Sequence, residues 1–145
     1  MTLRSPDGTW VLGHYTFRIE VPGAVNSCEA TLPDDLPAAF GMVTGPSCSP
    51  TAPLAGGLQY WADGKGTRSA DGLSGTFTPT PGHWHLLATL PGTPSTVDIL
   101  VERDGQKLLE ARRRLEYETF YPNGPDCDGT GCKGASVDLV VPSTP

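Results

Sequence analysis

Three histidines are the first residues in this sequence whose side chains could do chemistry. His83 and His85 flank Trp84, and residues two apart on a β-strand lie on the same face. Both imidazoles could therefore approach one metal ion, with His14 from an earlier strand as a third ligand. A His-x-His pair without a fixed third ligand is a weak metal signature, so the pattern favours histidines on solvated faces.

The acidic loop at 126–131 is a second candidate metal site. Asp126 and Asp128 place carboxylates at alternate positions, as at the start of a calcium-binding loop. The acidic twelfth ligand of such a loop is missing, because Asp138 stands at position thirteen and inside a predicted strand. We expect a disulfide rather than Ca²⁺ to order this loop, and we expect no cofactor.

The cysteines predict disulfides. The chain has Cys28, Cys48, Cys127 and Cys132 and no Cys-x-x-Cys pair, which disfavours a zinc site. Three pairings are possible, and we favour Cys28–Cys48 with Cys127–Cys132 because each pair is nearest in sequence and flanked by turn-forming residues. Disulfides indicate an extracytoplasmic protein that is secreted, periplasmic or lipid-anchored at the cell surface. The alternative is a cytosolic protein with four inert thiols.

A catalytic set is not recognisable. The sequence contains no Gly-x-Ser-x-Gly motif, and no cysteine is free to act as a nucleophile if all four are bridged. Glu116/Glu118 and Asp126/Asp128 are carboxylate pairs, but such pairs are typical of solvated charge when no pocket encloses them. We therefore predict that the chain is not an enzyme. An enzyme would need a pocket that gathers a histidine with acidic residues.

Two tryptophans are candidates for binding rather than catalysis. Trp10 and Trp61 each fall on the polar side of a predicted strand. Exposed aromatic side chains of this kind are typical of a face that binds carbohydrate or protein. The alternative for each tryptophan is that a loop covers it.

Composition limits the classes of partner. The 145 residues carry a formal net charge of -6, which argues against nucleic acid or an anionic membrane surface. No stretch is long and apolar enough for a transmembrane helix, and residues 1–7 lack the apolar segment of a signal peptide. If the disulfide interpretation is right, a targeting segment has been removed.

The elements that must position these residues are predicted to be short strands. Apolar residues alternate with polar ones at 11–21, 27–32, 58–63, 73–77, 84–90, 97–102 and 137–141. Many Gly and Pro residues, 18 and 15, separate them. This pattern predicts one all-β domain over 1–145, a two-layer antiparallel β-sandwich of immunoglobulin-like or related type. A closed β-barrel is the alternative, and we expect 1–8 and 142–145 to be flexible ends.

Two strand registers are possible for the hairpin at Asp104-Gly105, and the burial of one face should decide between them. A two-residue loop would lay Ile99 beside Glu110, whereas a three-residue loop over 103–105 sets Ile99 against Leu109. One buried face requires the second arrangement, with Gly105 left-handed. A helix over 106–117 is the alternative, because its residues are good helix formers.

The two ends of the chain resemble a known group of proteins. Gly8-Thr9-Trp10, a strand cysteine at Cys28 and the loop from Pro122 to Cys127 are similar to small exported lipoproteins of myxobacterial type. No activity is known for that group. The resemblance implies export, together with a lipid anchor on a cysteine outside this sequence.

These observations favour a non-enzymatic extracytoplasmic β-sandwich. Such a domain would act as a binding or structural module on a cell surface or in a secreted assembly. The alternative is an inhibitor of a secreted hydrolase, which would present the Pro- and Gly-rich connection at 33–57. A Cys28–Cys48 disulfide would pin that connection, and closing a loop of this size stabilises the fold by about 3 kcal/mol.

Overall fold

The computed structural model describes residues 1–34, 46–49, 58–70, 75–90, 92–121, 124 and 130–145. This part of the chain contains β-strands and no helix, and therefore no helix that could span a membrane. The strands are β1 (Thr2–Arg4), β2 (Gly13–Val21), β3 (Ala24–Leu32), β4 (Ser47–Ser49), β5 (Leu58–Arg68), β6 (Gly75–Ala88), β7 (Thr96–Arg103), β8 (Gln106–Arg114), β9 (Glu118–Phe120), β10 (Cys132–Gly134) and β11 (Asp138–Val140).

Two open sheets form the body of the domain. One has four strands in the order β11-β1-β6-β5, and the other has five in the order β4-β3-β2-β7-β8. β9 and β10 form a separate two-stranded ribbon. All pairs are antiparallel except β1 with β11, which is parallel. The predicted all-β fold is confirmed, and because both large sheets end in edge strands within the described chain, the barrel alternative is wrong.

Alternation along the strands builds one hydrophobic core between the two sheets. On β2, Tyr15, Phe17 and Ile19 are buried while the side chains between them face solvent. Burying a side chain such as that of Phe17 contributes about 1.5–3 kcal/mol. From the four-stranded sheet, Leu3 and Leu86 join the same core. The half-buried antiparallel strand predicted at 11–21 is therefore confirmed as β2, within two residues at its start.

The β7–β8 hairpin pairs odd positions with odd positions over most of its length, as expected, but its turn differs from the predicted one. Its turn has two residues, since Arg103 pairs with Gln106, and both Asp104 (φ 52°) and Gly105 (φ 76°) are left-handed. The predicted three-residue loop is therefore wrong, although the left-handed Gly105 is confirmed. An irregularity in the register lies further along β8, where Leu108 is the extra, buried residue between the paired positions Lys107 and Leu109.

This bulge restores the pairing of odd positions with odd positions. Beyond it Val101 pairs with Leu109 and Ile99 pairs with Ala111, so the predicted contact of Ile99 with Leu109 is wrong by two residues. The strand interpretation of 106–114 is confirmed, and the helix alternative is wrong for that segment.

The N-terminal segment is part of a sheet and not a flexible end. β1 lies between β6 and β11, and Leu3 is fully buried. The prediction of a flexible 1–8 is therefore wrong. The segment 142–145 lies outside the strands, and the Ser143 carbonyl accepts a hydrogen bond of 2.8 Å from Arg103 Nη1.

The first predicted disulfide is confirmed. Cys28 and Cys48 are bonded and are direct cross-strand partners on β3 and β4. Cys132 is exposed and free, whereas Cys127, its predicted partner, lies outside the described residues. The second cross-link therefore stays a prediction. Most of the connection at 33–57 also lies outside the described residues.

Candidate functional site

Four outward-facing residues form a line across the four-stranded sheet. Val140 on β11 is opposite Arg4 on β1, Arg4 is opposite His85 on β6, and His85 is opposite Trp61 on β5. Direct cross-strand partners share a face of the sheet. Their sequence neighbours, such as Leu86, face the core. We call these four residues the Trp61 row.

Trp61 is the most prominent member of the row. It is 50% exposed, so the prediction of an exposed tryptophan is confirmed at this position. Gln59 and Asp63 flank it along β5 on the same face of the sheet. An amphipathic ring held on a paired strand has little freedom to lose when a ligand covers it.

His85 is held in place by Asp63. Its Nδ1 lies 2.7 Å from Asp63 Oδ1, and its side chain is 18% exposed. An ionised carboxylate only accepts hydrogen bonds, so the Nδ1–H of His85 donates to it. The other ring nitrogen, Nε2, accepts a hydrogen bond when the imidazole is neutral and donates one when it is protonated. Asp63 was not among the predicted site residues, although alternation along 58–63 places it on the side that carries Trp61.

A tight turn from β1 closes one end of this cluster. Gly8 has a φ of +83° and is packed so closely that an added Cβ would lie 2.5 Å from His83 Nδ1 and 3.3 Å from Asp63 Oδ2. Asp7 orders the turn by accepting hydrogen bonds from the backbone N–H of Thr9, at 3.0 Å, and from its hydroxyl, at 2.6 Å. These hydrogen bonds lower the pKa of Asp7. The Gly8 turn thus places His83 and Asp63 against the same glycine.

The histidines predicted as a metal set are only partly brought together. His83 and His85 share β6, but His14 lies on β2 of the other sheet, where its Nε2 is 3.9 Å from Glu29 Oε2. No three His, Cys, Asp or Glu side chains in the described ranges are placed to share a metal ion. Asp126 and Asp128 lie outside those ranges.

Trp10 is a core residue, which corrects its assignment to a binding face. It is only 6% exposed, and its indole N–H donates a 2.9 Å hydrogen bond to the Trp84 carbonyl. Its ring packs edge-on against Tyr15, with the ring centroids 5.5 Å apart. Trp10 lies before the start of β2 and outside any strand, so strand alternation does not extend back to position 10.

Two grooves on the described surface do not contain the residues that an enzyme would need, a histidine together with acidic residues. One lies on the outer face of the five-stranded sheet, where Arg18 with Glu20 and Arg112 with Asp98 form exposed ion pairs, each at 3.3 Å. The other lies at one end of the sandwich, and its lining includes no histidine and no acidic residue. Neither groove combines a histidine with a carboxylate.

Comparison with models of known protein families, with curated proteins and with solved structures found no match for this chain.

Proposed function

We propose that this chain is a non-enzymatic extracytoplasmic binding module of a cell surface or secreted assembly. We further propose that it binds through the outer face of the four-stranded sheet. The single observation that carries the proposal is the exposed indole of Trp61, aligned with His85 and Arg4 on a paired sheet. Exposed aromatic side chains of this size are favoured where a soluble domain meets its ligand.

The location outside the cytoplasm is supported by the disulfide. Cys28 and Cys48 are bonded across a strand pair, and structural disulfides are rare where thiols are kept reduced. The resemblance to exported lipoproteins points the same way and adds a lipid anchor to the proposal. An anchor would hold the binding face near the surface from which the protein is displayed.

A non-catalytic role is supported by the setting of His85. Asp63 occupies its Nδ1, and the pair lies on an open sheet face. General acid–base catalysis is most effective in a site that excludes water. An open face with fixed polar groups suits recognition better than turnover.

Co-sedimentation with insoluble cell envelope from the producing organism tests the proposal. The purified domain should sediment with the envelope, and Trp61→Ala should remain in the supernatant. Phe120→Ala is the matched control, because Phe120 is 49% exposed but lies on the separate β9–β10 ribbon. Equal sedimentation of wild type and Trp61→Ala would refute the proposed binding face.

The inhibitor hypothesis has one supporting observation. The Cys28–Cys48 bond joins β3 to β4 and so closes the connection between them into a loop. A loop fixed at both ends loses less entropy on binding an active site. Replacing residues 36–45 with a Gly-Ser linker of equal length should abolish inhibition of a secreted hydrolase if this hypothesis is right, and retained inhibition would contradict it. Envelope binding through the Trp61 row should be unchanged in either case.

A further inference from the structure

We propose that the ligand of the Trp61 row is a carbohydrate built of neutral pyranose rings. This inference rests on the proposed function and names the ligand class for the same face. Pyranose sugars have faces made of C–H groups and edges made of hydroxyls. A site for them needs an apolar platform beside planar polar groups that both donate and accept hydrogen bonds.

Trp61 supplies the platform. Its indole is half exposed, and the C–H face of a sugar ring can pack on such a flat apolar surface. Trp61 is on β5, an edge strand of the four-stranded sheet, and within the described part of the chain no further strand borders β5 on its outer side. An extended polymer could therefore approach along the sheet face.

The polar groups lie at sugar-sized intervals from that platform. Neighbouring strands are about 4.8 Å apart, so His85 and Arg4 begin one and two strand spacings from Trp61. His85 offers Nε2 as a further hydrogen-bonding atom, because Asp63 holds its Nδ1–H. Arg4 offers planar donors, and Gln59 carries both a donor and an acceptor. The neighbouring hydroxyls of a sugar both donate and accept hydrogen bonds, and so they require this mixture of donors and acceptors.

The surroundings of Trp61 favour a sugar over a protein. The core of a protein interface is a continuous, desolvated apolar area. The same-face neighbours of Trp61 include Gln59 and Asp63 along β5, His85 across the strand pair and, diagonally, Leu87, which pairs with Gln59. Apart from Leu87, these neighbours are polar, so the apolar area around the indole is small. An aromatic ring set mainly among hydrogen-bonding groups matches a ligand that is itself apolar on one side and polar at its edge.

The charges of the face favour a neutral sugar over a polyanion. Arg4 brings one positive charge, while Asp63 and Asp138 bring negative ones. The whole chain carries a formal net charge of -6. A polyanionic glycan would be repelled overall, because the field of one arginine does not offset that excess.

Selective destruction of the envelope tests the ligand class. One sample of envelope is treated with periodate, which cleaves the vicinal diols of sugars, and another with proteinase K. We expect periodate to abolish sedimentation of the wild-type domain and proteinase K to leave it unchanged. Loss after proteinase K with retention after periodate would overturn the carbohydrate proposal while leaving the proposed binding function standing.

Variants of the row supply the second readout. On proteinase-treated envelope, Trp61→Ala should weaken binding about tenfold or more, and Arg4→Ala should weaken it less. Phe120→Ala should bind as wild type, and all three should keep wild-type far-ultraviolet circular dichroism. If Trp61→Ala and wild type bound untreated envelope equally, the proposed function itself would fail. If Phe120→Ala lost as much affinity as Trp61→Ala, nonspecific aromatic adhesion would replace the carbohydrate site.

Discussion

Trp10 donates its indole N–H to the carbonyl oxygen of Trp84 across 2.9 Å, and so joins the loop before β2 to the middle of the four-stranded sheet. The Trp10 ring simultaneously packs against Tyr15 and Phe17 of the five-stranded sheet. One side chain therefore contacts both layers of the sandwich. Its role is to hold the sheets together, in contrast to the exposed indole of Trp61.

Replacing the two tryptophans should separate these roles. Trp10→Ala should lower the free energy of unfolding by about 3–5 kcal/mol, because it opens a cavity between the sheets. Trp61→Ala should change it by no more than about 0.5 kcal/mol, because that side chain is half solvated. Urea denaturation measures both. Equal destabilisation by the two substitutions would contradict the assignment of Trp10 to the core and Trp61 to the surface.

The hairpin turn makes a prediction about backbone strain. Gly105→Val should destabilise the domain by about 1–3 kcal/mol, because valine is strained at a φ of +76°. Gly66→Val is the matched control, since Gly66 also has open space around its Cα but does not have a left-handed φ. Thermal melts of the two variants should differ. Similar melting temperatures would show that the Asp104-Gly105 turn does not have this geometry.

The bulge on β8 predicts how strongly substitutions at three adjacent positions of this strand should destabilise the domain. Leu108→Asp should destabilise more than Leu109→Asp, because Leu108 is only 8% exposed whereas Leu109 is half-buried. Glu110→Ala should change the free energy of unfolding by at most about 0.5 kcal/mol, because its ion pair with Lys107 is exposed. Urea titrations rank the three. A greater cost at Leu109 than at Leu108 would place the bulge elsewhere.

The disulfide prediction concerns protein made in an oxidising compartment. A peptide map without reduction should contain the Cys28–Cys48 cross-link, and Cys28→Ser should lower stability by about 3 kcal/mol from lost loop closure. The same map reports on Cys127 and Cys132. Free thiols at Cys28 and Cys48 would contradict both the bond and the proposed compartment.

Much of the architecture was predictable because alternation is a local signal that burial enforces. The inward Tyr15, Phe17 and Ile19 could be read directly from the sequence of β2. The β7–β8 hairpin has a register that this local signal did not predict. Asp104-Gly105 favours a two-residue turn, and burial favours pairing odd positions with odd ones. Both preferences are met because Leu108 forms a bulge on β8. No local sequence pattern predicts the position of that extra residue.

The candidate site was less predictable because its contacts are not local. Asp63 and His85 are 22 residues apart and meet only because β5 and β6 pair. Arg4 joins them through β1, a three-residue strand too short for alternation to reveal. Trp10 was misassigned for the complementary reason: a loop residue does not follow the strand period, and its burial depends on how the loop folds back.

Oxidative footprinting of the tryptophans tests the proposed binding face most directly. Limiting N-bromosuccinimide should oxidise Trp61 in the free domain and spare Trp10 and Trp84, each 6% exposed. Peptide mass spectrometry of the domain sedimented with cell envelope should show Trp61 protected, with the two buried tryptophans as internal references. Oxidation of Trp61 to the same extent in the free and the envelope-bound domain would contradict binding through this face.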